Sequence, residues 1–188
     1  MRYHFLIFLT LSSVSIKAES IIIDGVLDEP EWASAFSINE FYQTSPFNLK
    51  KTEDETLVYI FSNKDGIYVG FINKQSNSSM LSKKTLRDEQ TSLSDKTGIN
   101  IDFDGDGNKA YILAVNLGDS LFDAIKLKTG DFKTDWDGDW IAKTKRHDGY
   151  WVSEFYLPWN LVLMSQPTGE KRTIKYSCLL YTSPSPRD

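Results

Sequence analysis

The stretch DWIAKTKRHDGYWVSEFYLPW, residues 139–159, gives the clearest indication of the fold. Two runs rich in β-branched and aromatic residues meet across His147-Asp148-Gly149, which has the composition of a short turn. Pro158 stands where the second run ends, and the end of a strand tolerates a missing N–H. The stretch therefore predicts a β-hairpin.

The same alternation of short strands and turns continues on either side of this hairpin. Residues 55–73, ETLVYIFSNKDGIYVGFIN, predict a second hairpin that turns at 63–66. Further short strands are expected in SIIIDG (20–25), GINIDF (98–103), KAYILAVNL (109–117), SLFDAIKL (120–127) and RTIKYS (172–177). About seven or eight strands at this spacing predict an all-β fold, an antiparallel β-sandwich of two sheets with jelly-roll or immunoglobulin-like connections.

One or two short helices are expected beside the strands. In DEPEWASA, residues 28–35, Asp28 suits an N-cap and Pro30 suits the first turn. WNLVL, residues 159–163, is expected to form one helical turn. Trp32 and Trp151 stand in apolar-patterned segments and are expected in the core.

The first 18 residues have the pattern of a signal peptide. A basic start at Arg2 precedes an apolar run from Phe5 to Ile16, which is too short to span a bilayer, and Ala18 suits a cleavage point. The pattern predicts an exported protein of the periplasm, the outer membrane or the extracellular space. The alternative is a buried N-terminal strand.

The last 11 residues, CLLYTSPSPRD (178–188), differ in character from the rest. They resemble the translation of a sequencing-library adapter, and the alternative is a disordered tail rich in proline and serine. On the first interpretation native sequence ends near Ser177, and residues 19–177 form one domain truncated at its C-terminus. Residues 178–188 would then be a non-native tail.

Composition excludes several classes of function. The formal net charge is −5 and the pI about 5.1, so an acidic surface disfavours nucleic acid as a partner. Cys178 is the sole cysteine and His147 the sole histidine beyond residue 18, which leaves no disulfide and no Cys/His zinc site. No nucleophile-elbow, dinucleotide-binding or Walker pattern occurs. A glycosidase would need two carboxylates at a defined separation, which the sequence does not reveal.

Four segments together resemble carbohydrate-binding module family 9, and more closely the N-terminal module of that type in uncharacterised bacterial outer-membrane proteins. They are IIIDGVLDEPEWASA (21–35), LVYIFSNKDGIYVGF (57–71), GINIDFDGDGNKAYILAVN (98–116) and WDGDWIAKTKRHDGYWVSEFYLPW (136–159). The resemblance covers roughly residues 20–165. It implies a two-sheet β-sandwich, bound calcium and non-catalytic recognition of sugar chains.

The resemblance implies a sugar site in which two tryptophans clamp the terminal rings. This chain departs from that pattern, because TSLSDKT (91–97) holds no aromatic residue and Gly98 stands where the family has an acidic one. Trp136 and Trp140 flank an Asp-Gly-Asp turn and are the candidate sugar platform, with core packing as the alternative.

Arg87 and Asp88 lie in the long polar loop of residues 74–97. They occur where the outer-membrane group also has an Arg-Asp pair, and long loops in compact domains are often functional. Both residues are candidate ligand contacts, and a surface ion pair is the alternative.

The loop DFDGDGN (102–108) carries the first half of a calcium-loop pattern. Asp102, Asp104, Asp106 and Asn108 place oxygen ligands at alternate positions beside glycine. Leu113 stands where an EF-hand would carry its closing acidic residue, so an EF-hand is excluded. Calcium in a structural role is one interpretation, and a turn with charges directed to water is the other.

These observations lead to two hypotheses for function. In the first, the chain is a non-catalytic module that binds polysaccharide or oligosaccharide within a larger exported protein, which could carry a glycoside hydrolase domain. In the alternative, it is an N-terminal interaction or capping domain of an outer-membrane β-barrel protein and has no sugar ligand. Both hypotheses expect a covalently linked domain downstream.

Overall fold

The computed structural model describes residues 21–52, 54–89, 93–166, 169 and 171–182. The predicted signal peptide, residues 1–18, lies outside these residues. Within these described residues the chain forms twelve strands and one short 3-10 helix, Pro30–Ser34. The strands are β1 (Phe36–Ile38), β2 (Tyr42–Thr44), β3 (Phe47–Lys51), β4 (Thr56–Ser62), β5 (Gly66–Lys74), β6 (Lys96–Asp102), β7 (Lys109–Asn116), β8 (Leu121–Leu127), β9 (Phe132–Lys133), β10 (Ile141–His147), β11 (Tyr150–Pro158) and β12 (Lys175–Tyr181).

The strands form two five-stranded antiparallel sheets, which confirms the predicted all-β sandwich. The first sheet has the order β1-β4-β5-β11-β10, and the second has the order β12-β6-β7-β8-β9. β2 and β3 form a separate two-stranded hairpin. The chain has more strands than expected because β1, β2, β3 and β9 are too short to show an alternating pattern.

Both predicted hairpins are confirmed. β4 pairs with β5 up to Ser62 and Ile67, and Asn63 Oδ1 closes the turn by accepting the N–H groups of Asp65 and Gly66. β10 pairs with β11 up to His147 and Tyr150, and Gly149 in the turn adopts φ +77°, a left-handed conformation that favours glycine.

The segment 21–25 is not a strand, contrary to expectation. The N–H groups of Asp24 and Gly25 donate instead to Oε2 of Glu154, both at 3.0 Å. Leu27 and Trp32 then pack over Gly70, on the face of β5 opposite to its core residue Phe71. Residues 21–35 therefore lie against the outer face of the first sheet.

Of the two predicted helical segments, the structure forms a short helix in the first and only a turn in the second. Pro30 begins the 3-10 helix as expected, but Glu29 occupies the N-cap position without a side-chain bond, so the assignment of Asp28 was wrong. Residues 159–163 form a turn rather than a helix, closed by the N–H of Leu161 on the Pro158 carbonyl at 2.9 Å. Across the described residues, no helix is long and apolar enough to cross a membrane.

The core lies between the inner faces of the two sheets. It is built from alternate residues of the long strands, among them Val69, Phe71, Ile99, Ile101, Leu113, Val115, Phe155 and Leu157. Trp151 is fully buried in a smaller cluster with Met80 and Leu117, and Trp32 is 6% exposed against the first sheet. The predicted burial of both tryptophans is confirmed.

β12 forms the edge of the second sheet and pairs with β6 from Lys175 to Tyr181. The strand thus runs through residue 178, where the sequence predicts that native residues end. Residues 183–188 lie outside the described part of the chain, and the origin of 178–188 stays a prediction.

Candidate functional site

The predicted calcium loop follows β6, and its side chains bind N–H groups. Asp102 accepts the backbone N–H groups of Gly105 at 2.8 Å and Gly107 at 2.7 Å, one on each carboxylate oxygen. Asp106 accepts both the backbone N–H and the side-chain amide of Asn108, and these bonds hold the pKa of Asp106 below its usual value.

Asp104, the remaining acid of this loop, is directed to a different segment. Its Oδ1 accepts the backbone N–H of Ser165 at 2.8 Å and Nη1 of Arg172 at 3.0 Å. The bond from Ser165 is the main cause that lowers the pKa of Asp104. In the described ranges, the group of acidic side chains whose ligand atoms lie within 4.8 Å of one another does not include these three aspartates. Calcium binding by this loop stays a prediction.

Arg87 and Asp88 meet a buried aspartate that the sequence analysis did not single out. Asp123 lies on the inner face of β8 with a fully buried side chain, and its Oδ2 accepts a hydrogen bond from Nη2 of Arg87. Nε of Arg87 lies 3.2 Å from Asp137 and 3.7 Å from Asp88. Burial raises the pKa of Asp88, whose Oδ1 also accepts the backbone N–H of Asp123.

Asp88, Asp123 and Asp137 bring ligand atoms within 4.8 Å of one another, the only such acidic group in the described ranges. The Arg87 guanidinium contacts all three carboxylates and offsets part of their negative charge. The cluster is therefore an ion-pair network that fastens the long loop to β8 and to the segment before β10.

The two candidate platform tryptophans belong to the same region. Trp140 is 4% exposed, stacks on Phe155 at 5.8 Å, and donates Nε1–H to Asp123 at 2.6 Å. Trp136 is half-buried, and its ring centroid lies 4.8 Å from that of Tyr111. The burial of Trp140 differs from the exposed platform that was expected, because Asp123 satisfies the indole N–H inside the core.

A large open cleft lies elsewhere, on the outer face of the second sheet. Its volume is about 1240 Å³, and it extends between the β2–β3 hairpin and the strands β6, β7, β8 and β12. Ile99 and Leu113 point to the core, so their neighbours Gly98 and Ala114 point outward and form the floor. A Cβ at Gly98 would lie 2.9 Å from the Leu113 carbonyl oxygen, so this part of the floor can carry no side chain.

Aromatic side chains stand around this floor. Tyr42 comes from the hairpin and is 51% exposed, and Phe132 from β9 is 47% exposed. Phe122 lies beside Phe132 with nearly parallel rings, their centroids 6.3 Å apart. Tyr181 from β12, which belongs to the predicted non-native tail, adds a ring that is 40% exposed. Such rings offer faces for the C–H surface of a sugar.

Polar and charged groups share the cleft with these rings. Lys96 at the start of β6 is half-buried, and its Nζ lies 4.7 Å from the centroid of Tyr181. Lys50 and Lys51 of the hairpin are exposed, as are the acids Glu40, Asp54 and Glu89. Apolar rings beside a few placed polar groups are typical of a binding site for a small or extended ligand.

Sequence reasoning noted Gly98 but none of these rings. Asp123 had a detectable signal, because it takes an inward position in SLFDAIKL between Leu121 and Ile125. The sequence carried no such signal for the cleft, because the cleft is formed where a separate hairpin lies beside a sheet.

Comparison with known proteins supports the fold. Neither a scan against protein-family models nor a search of curated proteins finds a match. Among solved structures the chain is similar to a carbohydrate-binding module family 9 from Caldicellulosiruptor kristjanssonii in complex with cellotriose, with a TM-score of 0.52 and 16% identity. The match covers 85% of this chain and 71% of that one. The chain therefore has the fold of a family 9 carbohydrate-binding module.

Proposed function

We propose that this chain is a non-catalytic carbohydrate-binding module whose ligand lies in the cleft on the outer face of the second sheet. The observation that carries the proposal is the cleft itself, in which exposed rings surround a low floor formed by Gly98 and Ala114. The shared fold supports it, because the similar structure is a carbohydrate-binding module in complex with cellotriose.

The dimensions of the cleft suit a chain of sugars. Small-molecule pockets measure about 300 to 1,000 Å³, and this cleft, at about 1240 Å³, exceeds that range. Tyr42 and Phe132 come from separate elements that border the cleft, so their rings can contact different parts of one ligand. An oligosaccharide or a segment of polysaccharide therefore fits better than a single sugar.

Affinity electrophoresis in gels that contain soluble polysaccharides tests this proposal. Phe132→Ala and Tyr42→Ala should each reduce retention about fivefold or more, because a stacking contact contributes about 1 kcal/mol. Phe36→Ala is the matched control, since Phe36 is 63% exposed on β1 and does not line the cleft.

The variant Trp136→Ala tests whether the ligand binds in the cleft or on the platform of Trp136 and Trp140 predicted from sequence. Retention that depends on Trp136 and ignores Phe132 and Tyr42 would move the ligand to the region of the Arg87 network. Retention of the wild type on no polysaccharide would count against carbohydrate binding itself.

Two further parts of the proposal have support from the sequence alone. Export is supported by the signal-peptide pattern of residues 1–18. Structural calcium at Asp102, Asp104, Asp106 and Asn108 is supported by their spacing. Thermal unfolding with calcium and with a chelator tests the second point, and equal midpoints would oppose it.

A further inference from the structure

We propose that the cleft selects acidic saccharides and that Lys96 binds a uronate carboxylate. The inference rests on the proposed function and adds the chemical class of the ligand. It starts from the one basic side chain of the cleft that is partly removed from water.

Lys96 differs from the other lysines in the described ranges. It is half-buried, and no carboxylate of the described residues lies within 4.0 Å of its ammonium. Lys109 is also half-buried but lies 3.9 Å from Asp104. The remaining lysines of these ranges are exposed to water.

The surroundings of Lys96 hold its charged side chain at the wall of the cleft. Its backbone is held in β6 between β7 and β12, opposite Asn116 and Tyr181. The ring of Tyr181, a residue of the predicted non-native tail, lies 4.7 Å from the ammonium and adds a cation–π contact, while the described residues provide no anionic partner for the N–H donors. Burial lowers the pKa of Lys96 because the charged form has lost part of its hydration.

An anionic ligand would replace the hydration that the Lys96 ammonium loses through burial. A carboxylate adds Coulomb attraction to its hydrogen bond with the ammonium, whereas a neutral hydroxyl does not, so a carboxylate gains more here than a hydroxyl. Lys50 and Lys51 add positive charge from the hairpin. These two lysines and the acids of the cleft, Glu40, Asp54 and Glu89, are all exposed, so water and salt weaken both sets of charges. The half-buried Lys96 is therefore the charge that decides the preference.

Calorimetric titration of the full chain with matched ligands tests the inference. The probes are trimers of galacturonate, mannuronate and glucuronate, each beside its methyl ester, which keeps the ring and the length but removes the charge. At least one acid trimer should bind about tenfold or more tightly than its ester, and 0.5 M salt should reduce this difference.

Three variants separate a direct contact from the effect of total charge. Lys96→Met should abolish the preference for the acid, and Lys96→Arg should keep it and also control for folding. Lys126→Met removes the same charge from an exposed position of β8 outside the cleft, and it should leave the preference unchanged.

The outcomes also distinguish this inference from the function on which it rests. If acid and ester trimers bind equally well, or if Lys96→Met and Lys126→Met behave alike, selection by Lys96 is overturned while carbohydrate binding stands. If no saccharide of either charge binds, both proposals fall.

Discussion

Glu154 offers the sharpest test of how residues 21–35 are held on the first sheet. Its side chain is fully buried on the outer face of β11, and Oε2 accepts the N–H groups of Asp24 and Gly25, both at 3.0 Å. Oε1 has no hydrogen-bond partner among the residues that the structure describes. Burial raises the pKa of Glu154 to about 7 from an ordinary value of 4.5, and the nearby carboxylates of Glu29 and Asp24 add to the rise.

The sign of the effect on stability follows from proton binding. Between pH 4.5 and 7 the folded protein holds a proton on Glu154 that the unfolded chain has lost, so stability falls as the pH rises through this window. A rise in pKa from 4.5 to about 7 corresponds to about 3 kcal/mol in the free energy of unfolding. The stabilisation is complete near pH 4 and absent at pH 8.

Glu154→Gln keeps the acceptor for both N–H groups and cannot ionise. The free energy of unfolding of the variant, relative to that of the wild type, should therefore rise by about 3 kcal/mol as the pH is raised from 4 to 8. Urea denaturation followed by tryptophan fluorescence measures both free energies of unfolding at each pH. A difference between the two proteins that stays constant from pH 4 to 8 would refute the assigned pKa and its cause.

Two further predictions concern the interior. Arg87→Met should lower the free energy of unfolding by about 2 to 3 kcal/mol, below the 3 to 5 of a fully buried pair because Arg87 is 36% exposed. Urea denaturation measures this loss in the free energy of unfolding. A loss under 0.5 kcal/mol would mean that the buried charge of Asp123 is not stabilised by Arg87. Cys178 should react slowly with a thiol reagent at pH 8, because burial raises its pKa to about 12 and the thiolate is the reactive form. Labelling in urea should be much faster, and equal rates in both states would contradict the burial of the thiol.

Local sequence signals predicted those parts of the fold that depend on neighbouring residues. The hairpin turns at Asn63 and Gly149 are set by residues within two positions of the turn, and Trp151 follows from the alternation of one strand. The position of Trp140 was not predictable in this way. Its burial depends on a hydrogen bond to Asp123, which lies 17 residues earlier in the chain, in β8 of the second sheet.

In the candidate sites, too, neighbouring residues determine some features and distant contacts determine others. The spacing of Asp102, Asp104 and Asp106 gives the number of oxygens but not their direction, which the loop N–H groups and Arg172 decide. The cleft depends on how the β2–β3 hairpin lies beside the second sheet. No repeat or spacing in the sequence carries that tertiary information.

Residues 21–35 make the two broad sides of the sandwich unequal. One side is lined by the chain's own N-terminal segment, while the other carries the cleft. A molecule captured through the cleft on a surface would therefore be oriented with Trp32 and its neighbours directed away from that surface. Labels or fusion partners attached near residue 21 would then point into bulk solution, a geometry that suits immobilisation with a single orientation.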